Sequence, residues 1–292
     1  MSSTVLDIAA GVSEPRRRNR ALTRFLAHRS AVVALVVVVL FIAVAALAPW
    51  ISPYDPMATD WSQVRKAPSA AHWLGTDEIG RDLLSRMLWG SRASLLAGVV
   101  SVLIAIAVGL PFGLLAGYVG GWIDGLISRM TDALLSCPFL ILAIALAAFL
   151  GPSLTNAMIA IGISTTPIFV RLARGQVMVV KVEDYVEAAR AVGNPSYRIL
   201  LRHILPNVVP PLLVQSTLTI ATAIIAEASL SFLGVGQQPP APSWGSMLNV
   251  AKDFMSQAPW MALWPGVAIC LIVLAFNVLG DGLRDALDPK EH

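Results

Sequence analysis

Residues 93–122 read ASLLAGVVSVLIAIAVGLPFGLLAGYVGGW, thirty positions without a charged side chain. A helix rises about 1.5 Å per residue, so about 20 apolar residues cross a hydrocarbon core about 30 Å thick. The stretch is therefore read as a membrane-spanning helix over about residues 93–118. Gly109, Gly113, Gly117 and Gly121 recur at every fourth position. Small residues at that spacing let a neighbouring helix approach backbone to backbone, so these four glycines are candidate helix-packing positions. Pro111, and Pro167 further along the chain, predict kinks.

The same test succeeds elsewhere in the sequence. Ala31–Trp50 is free of charge, and so is the run from Ala133 to Val170. The latter would be about 57 Å long as one helix, too long for one crossing, and Gly151-Pro152-Ser153 divides it with a turn. Further spans run from Val208 towards Phe232 and from Met261 to Gly280. The reading is an all-α membrane protein with six transmembrane helices, at about 31–51, 93–118, 134–150, 154–174, 208–232 and 261–280. Composition agrees. Of 292 residues, 56% are hydrophobic and only 13% charged, about half the share of a soluble protein, and too few to cover a soluble surface. High hydrophobicity, aperiodic glycine and only two cysteines exclude disorder, collagen and a disulfide scaffold.

Orientation follows from Lys and Arg, which are retained on the cytoplasmic side. With the N-terminus inside, only Arg65, Lys66, Arg81, Arg86, Arg92 and Lys252 of the 21 Lys and Arg lie outside. Both termini are therefore placed in the cytoplasm, as tails at 1–30 and 282–292. A cleavable signal peptide is the rival reading, with Ala46-Leu47-Ala48 as its cleavage site. The long apolar run and Pro49 directly after the cut favour a retained first span. Cys137 and Cys270 fall in apolar segments and read as small packing residues.

Two hydrophilic stretches remain. The outer one, 52–92, is punctuated by Pro53, Pro56, Pro68, Gly75, Gly80 and Gly90 and reads as loop with short helices. Trp50, Trp61, Trp73 and Trp89 suit a membrane interface, and contact with an extracytoplasmic partner is the alternative. The inner stretch, 181–206, is the more informative. Tyr185, Ala188, Ala189 and Val192 recur at i, i+3, i+4 and i+7, giving a short amphipathic helix a narrow apolar face. Gly193 suits a left-handed C′ position, Asn194 the next N-cap and Pro195 the first helical position, so a second helix runs to a break near Pro206. Such a helix-turn-helix serves as a docking element for a cytosolic partner or as a solvated connector.

Ionisable groups inside a bilayer mark a transport path. Glu227 is the candidate, placed near the outer end of its span as a pathway, gate or packing group, and Asn277 is a weaker one. Catalytic chemistry finds no residues to run it. There is no G-x-x-x-x-G-K-[ST], so any ATP is bound elsewhere; His28, His72, His203 and His292 lack metal-ligand spacing; and no G-x-S-x-G occurs.

Glu187-Ala188-Ala189, three residues, then Gly193 and, twelve residues on, Leu205-Pro206 resemble the EAA loop of permease subunits of ATP-binding-cassette importers. The isoleucine usual ten residues after the glycine is His203 here. Three further blocks resemble the C-type permease of dipeptide, oligopeptide, glutathione or nickel importers. They are His72-Trp73-Leu74-Gly75-Thr76-Asp77 with Gly80-Arg81-Asp82 and Ser85-Arg86; Leu230-Ser231-Phe232-Leu233-Gly234 with Gln238-Pro239-Pro240 and Trp244-Gly245; and Asn277 with Gly280 through Pro289. The resemblance implies a type I importer permease core over 93–281 in a bacterial inner membrane. It makes Glu187, Ala188, Ala189, Gly193, Leu205 and Pro206 the ATPase-coupling residues. It also implies a second homologous permease, two cytosolic ATPases that bind ATP and Mg, and an extracytoplasmic solute-binding protein. No cofactor in this chain and no nucleic-acid partner are expected. Peptide import is the leading expectation, with glutathione or nickel import, or a non-transporting scaffold or sensory subunit, as alternatives.

Overall fold

The computed structural model describes residues 23–287. Arg16, Arg17, Arg18 and Arg20 of the N-terminal tail, and Asp288, Pro289 and Lys290, lie outside the described residues. Five helical runs are long and apolar enough to cross a membrane: α1 (Arg29–Ile51), α2 (Leu83–Val119), α5 (Leu154–Val180), the continuous run Ser196–Phe232 and α10 (Trp260–Leu287). Between α2 and α5 lies a bent pair, α3 (Gly121–Leu135) and α4 (Phe139–Leu150), which counts as a sixth crossing when taken as one span. Among the described residues the only strand-like pairing is an isolated bridge between Thr76 and Asp82.

The third crossing departs from the sequence reading. Residues 134–150 were expected as one straight span, but the helix breaks at Ser136-Cys137-Pro138 and turns by 89°. Pro138 has no backbone N–H to donate and disfavours helical geometry at Cys137, so α3 stops before it and α4 starts after it. Neither Pro111 nor Pro167 interrupts its helix.

Helix α2 begins ten residues before the predicted span. The Asp82 carboxylate accepts the Ser85 N–H at 2.8 Å and caps its first turn. At about 55 Å this helix overreaches the hydrocarbon, so the charge-free run locates the crossing and not the start of the helix. The outer loop is correspondingly shorter than 52–92, with one 3-10 turn at Trp61–Gln63. A short helix α9 (Trp244–Ala251) precedes α10, and at the inner side α5 runs on to Val180 and α10 to Leu287.

The central seam is α2 against α5. A Cβ added at Gly109 would lie 2.7 Å from the Phe169 side chain, at Gly113 2.6 Å from Ala173, and at Gly117 2.7 Å from Val177. Gly162 of α5 answers from the other side, 2.8 Å from Ile104, and was not singled out in the sequence. Gly121 does not belong to this ladder. It follows the end of α2 with φ +59° and nothing within 4 Å, because the chain has already turned at Gly120. Helix α10 packs on the run ending at Phe232, where Gly280 meets Thr217 and Leu218, and α1 packs on α10, where Gly282 meets Ala31.

A methyl group in the α2–α5 seam has nowhere to go. Gly113→Ala is expected to destabilise by about 1–3 kcal/mol through overpacking. Gly125→Ala, with nothing within 4 Å of the new methyl, is expected to be neutral or mildly stabilising. Thermal unfolding of the purified protein in detergent separates the two.

Candidate functional site

The inner loop begins where Lys181 donates from Nζ to the Gly117 carbonyl at 2.8 Å, satisfying an orphan acceptor at the end of α2. Helix α6 (Asp184–Ala191) follows, with Asp184 and Glu187 in its first turn and Arg190 in its last, the order its dipole favours. It ends in a Schellman motif. Gly193, at φ +79°, donates to the Arg190 carbonyl at 3.0 Å, and Asn194 donates to that of Ala189 at 3.2 Å. Pro195, expected as the first helical residue, occupies the N-cap instead, and α7 (Ser196–Ile199) begins one residue later.

The break expected near Pro206 does not occur. Residues Leu200–Ile204 form a π-turn, in which the Leu205 N–H bonds to the carbonyl of Leu200, and the chain continues directly as α8 (Leu205–Phe232). The widened turn takes Pro206 into the following helix at a position where its missing N–H is tolerated. A membrane-spanning helix and the cytosolic helix pair are therefore joined without a flexible loop.

Burial corrects the predicted apolar face. Val186, Ala189 and Ile199 point inward and join a cluster that includes Phe169, Ala173, Val177, Ile204 and Val208. Tyr185, Ala188 and Val192 point outward, with Val192 77% exposed. Tyr197 and Leu201 extend this exposed apolar surface, and Glu187 is exposed beside it. Burial and then the charge of Glu183 push the Tyr185 phenol above its ordinary value. Leu205 is half-buried and Pro206 exposed. The sequence located the helix pair but missed Val186 and Ile199 as its anchors. The i, i+3 relation of Val186 and Ala189 was the available signal, outnumbered by a four-residue face of which only Ala189 is in fact covered.

Beside this element, α5, α8 and α10 enclose a cavity of about 450 Å³ whose lining includes Gln176, Pro210, Gln215, Asp281 and Arg284. No sequence pattern pointed to it. Asn277 is half-buried on α10 and does not line it. Glu227 sits on neither an open path nor an outer surface. It is fully buried between α2 and α8, where its two oxygens accept from Ser94 Oγ at 2.9 Å and Ser231 Oγ at 2.7 Å. Ser231 Oγ in turn accepts the Gln237 N–H at 2.9 Å. A carboxylate at such a site is retained only with donors on its oxygens, and the serines supply them. Glu227 thus clamps two helices and the segment that follows the second.

A second buried cluster, missed as such in the sequence, organises the outer loop. Asp77 accepts from Arg81 Nε at 2.5 Å and lies 3.4 Å from Arg86 Nε, while Arg86 also donates to the Pro56 carbonyl at 3.0 Å. His72 Nδ1 lies 2.9 Å from Asp82. Gly80, at φ +81°, leaves no room for a side chain, since an added Cβ would fall 1.8 Å from the Asp60 carbonyl oxygen. Two of the six outer cations, Arg81 and Arg86, are thereby used internally.

With this geometry in place, similarity decides the family. Residues 109–292 match the model described as "Binding-protein-dependent transport system inner membrane component", and residues 18–68 match the N-terminal transmembrane domain of oligopeptide transport permease C. The chain belongs to the binding-protein-dependent inner-membrane permease family. The dipeptide transport system permease protein DppC of Alkalihalophilus pseudofirmus is 47% identical, over 90% of this chain and 86% of that protein. The glutathione transport system permease protein GsiD of Shigella flexneri is 50% identical, over 91% and 88%. Two inward-facing crystal forms of the methionine ABC transporter MetNI share the permease fold, with TM-scores of 0.57 and 0.56 at 22% and 20% identity. Each alignment covers 70% of this chain and 97% or 98% of the solved chain. This permease is a multi-pass protein of the bacterial inner membrane.

In the permease's outer cluster, Glu78 accepts from Arg81 Nη2 at 2.6 Å through one oxygen, while its other oxygen is buried without a partner. Burial, and then the negative charge of Asp77, hold its carboxyl above the ordinary value of 4.5. The folded state therefore binds this proton more tightly than the unfolded one. Its contribution is greatest at low pH and is lost as pH rises through the raised value. Glu78→Gln is expected to flatten the fall in thermal stability as pH rises above the ordinary carboxyl value of 4.5, measured on the purified transporter.

Proposed function

We propose that the chain is the C-type permease subunit of an ATP-driven importer of di- or oligopeptides. It forms half of the translocation path with a second homologous permease, receives cargo from an extracytoplasmic solute-binding protein, and is driven by two cytosolic ATPases that bind ATP and Mg. The chain itself carries no ATPase site and no cofactor.

The observation that carries this reading is the cytosolic helix pair. Glu187, Ala188 and Val192 lie outward on a short helix whose other side, Val186 and Ala189, is packed into the bundle. Gly193 fixes the turn, and Leu205 and Pro206 pass directly into α8. An ATPase surface seated on the outward face would push on a rigid element continuous with a membrane helix. ATP-driven closure could then favour one bundle state through differential contacts. Peptide cargo is supported by relatives named for dipeptide and for glutathione transport. Glutathione is the second reading, favoured by GsiD at 50% identity.

Gly193→Asp, which forces a side chain onto a backbone at φ +79°, is expected to leave membrane insertion intact and uncouple ATP hydrolysis from uptake. Uptake of labelled dipeptide in a strain deleted for this chain, with and without the variant, checks it; wild-type uptake by the variant refutes the coupling role. Parallel uptake of labelled glutathione decides between the two cargoes.

A further inference from the structure

The bent pair α3–α4 and the facing side of α5 carry two features that lipid does not tolerate. The first is charge. Arg171 donates from Nη2 to Asp132 at 2.6 Å, with side chains 59% and 63% exposed. Beside it Arg174 holds Asp124 in a two-point pair, Nη2 at 2.8 Å and Nε closer still, and this pair is half-buried. Asp132, Arg171 and Arg174, with Ser128 and Thr131, border a cavity of about 260 Å³. Depth matters here. The backbone of Val170, next to Arg171, abuts Gly109 and Gly113, which lie about 9–15 Å along α2 from its inner end. Arg171 lies about 25 Å along α5 from Leu154 at the outer side, which with a hydrocarbon layer about 30 Å thick puts this level towards its inner edge.

The second feature is backbone. At the break, Ser136 and Pro138 are exposed and Cys137 is half-buried. Backbone groups released by a broken helix are tolerated at membrane depth only against protein or water, and charged side chains there face a bundle interior or a water-filled cavity. Both features lie on the same bent pair or on the helix facing it.

We propose that the α3–α4 break and the facing side of α5 line the water-filled translocation path, and that Asp132–Arg171 is a transit site for zwitterionic cargo. The cargo class rests on the peptide-importer reading above; the aqueous face does not. Asp132 would take the ammonium of a short peptide and Arg171 its carboxylate, the planar guanidinium matching two carboxylate oxygens. One protein ion pair is then exchanged for two pairs with the cargo. Because Asp132–Arg171 is more than half exposed, opening it costs little, which suits a site that must release what it holds. The two-point Asp124–Arg174 pair keeps α3 seated on α5 meanwhile, and Arg129, exposed on α3, adds positive charge nearby.

The chain supplies its own probes. In the assembled transporter in inverted membrane vesicles, a charged, membrane-impermeant methanethiosulfonate is expected to modify Cys137 and leave Cys270, on the apolar run of α10, unmodified. Variants Cys137→Ser and Cys270→Ser assign the label. No reaction at Cys137, with reaction restored on denaturation, overturns the aqueous face. Replacing the pair by Asp132→Asn with Arg171→Gln is expected to lower dipeptide uptake about tenfold, the scale of one charge-assisted contact, in a complex that still co-purifies with its partners. The exchanged pair Asp132→Arg with Arg171→Asp, which keeps the ion pair but reverses its polarity, is expected to remain as impaired. Uptake equal to wild type in either variant overturns the transit site. A wild-type complex that moves no peptide while Cys137 still reacts refutes the peptide reading and supports the aqueous face.

Discussion

The close approach of α2 to α5 is the constraint on which the other parts of the molecule depend. Gly109, Gly113 and Gly117 bring the two backbones together along the inner half of the bundle, where any added Cβ would collide with Phe169, Ala173 or Val177. In a bilayer no hydrophobic effect drives helices together, so packing at this range is a main source of association. The seam also fixes what α5 presents on its other sides. It aims Arg171 and Arg174 at α3, and it places Val177 and Val180 under the cytosolic helix pair, where Val186 and Ile199 are anchored.

Polar groups that lipid would expel are handled in two ways. At the outer end they are consumed internally: Asp77 is shared by Arg81 and Arg86, and Glu227 by Ser94 and Ser231. These networks tie the outer loop, α2, α8 and the segment after α8 into one block. Towards the cytosol, charge is left uncovered, in the Asp132–Arg171 pair and around the cavity edged by Gln176, Gln215, Asp281 and Arg284. The outer end is thus tied together by buried polar contacts, while at the inner end α6 is joined through the Gly193 turn to α7, which passes by the π-turn into α8 without a loop.

Much of this was legible in the residues. Charge-free runs near 20 residues long located the spans, because the thickness of the hydrocarbon layer sets that length whatever the packing. The Gly193 turn was legible because only a residue without Cβ enters the left-handed region freely. Helix ends were less so. The start of α2 at Leu83 was hidden, since a helix continues past the membrane without changing its local rules. The break at Pro138 was read as uninterrupted span because its neighbours are apolar. Gly121 continued the four-residue count of the ladder although the helix that gives the count its meaning had already ended.

The sequence by itself determined that the chain crosses a membrane, about how many times and with which end inside, since these follow from counting apolar and basic residues against a fixed slab. It also located the helix pair on either side of Gly193. Only the tertiary structure decided which face of that pair is buried, that Glu227 is buried and held by Ser94 and Ser231, and that Asp77, Arg81 and Arg86 form one buried network. Periodicity states that a helix has an apolar face; what covers that face depends on neighbours brought in from far along the chain.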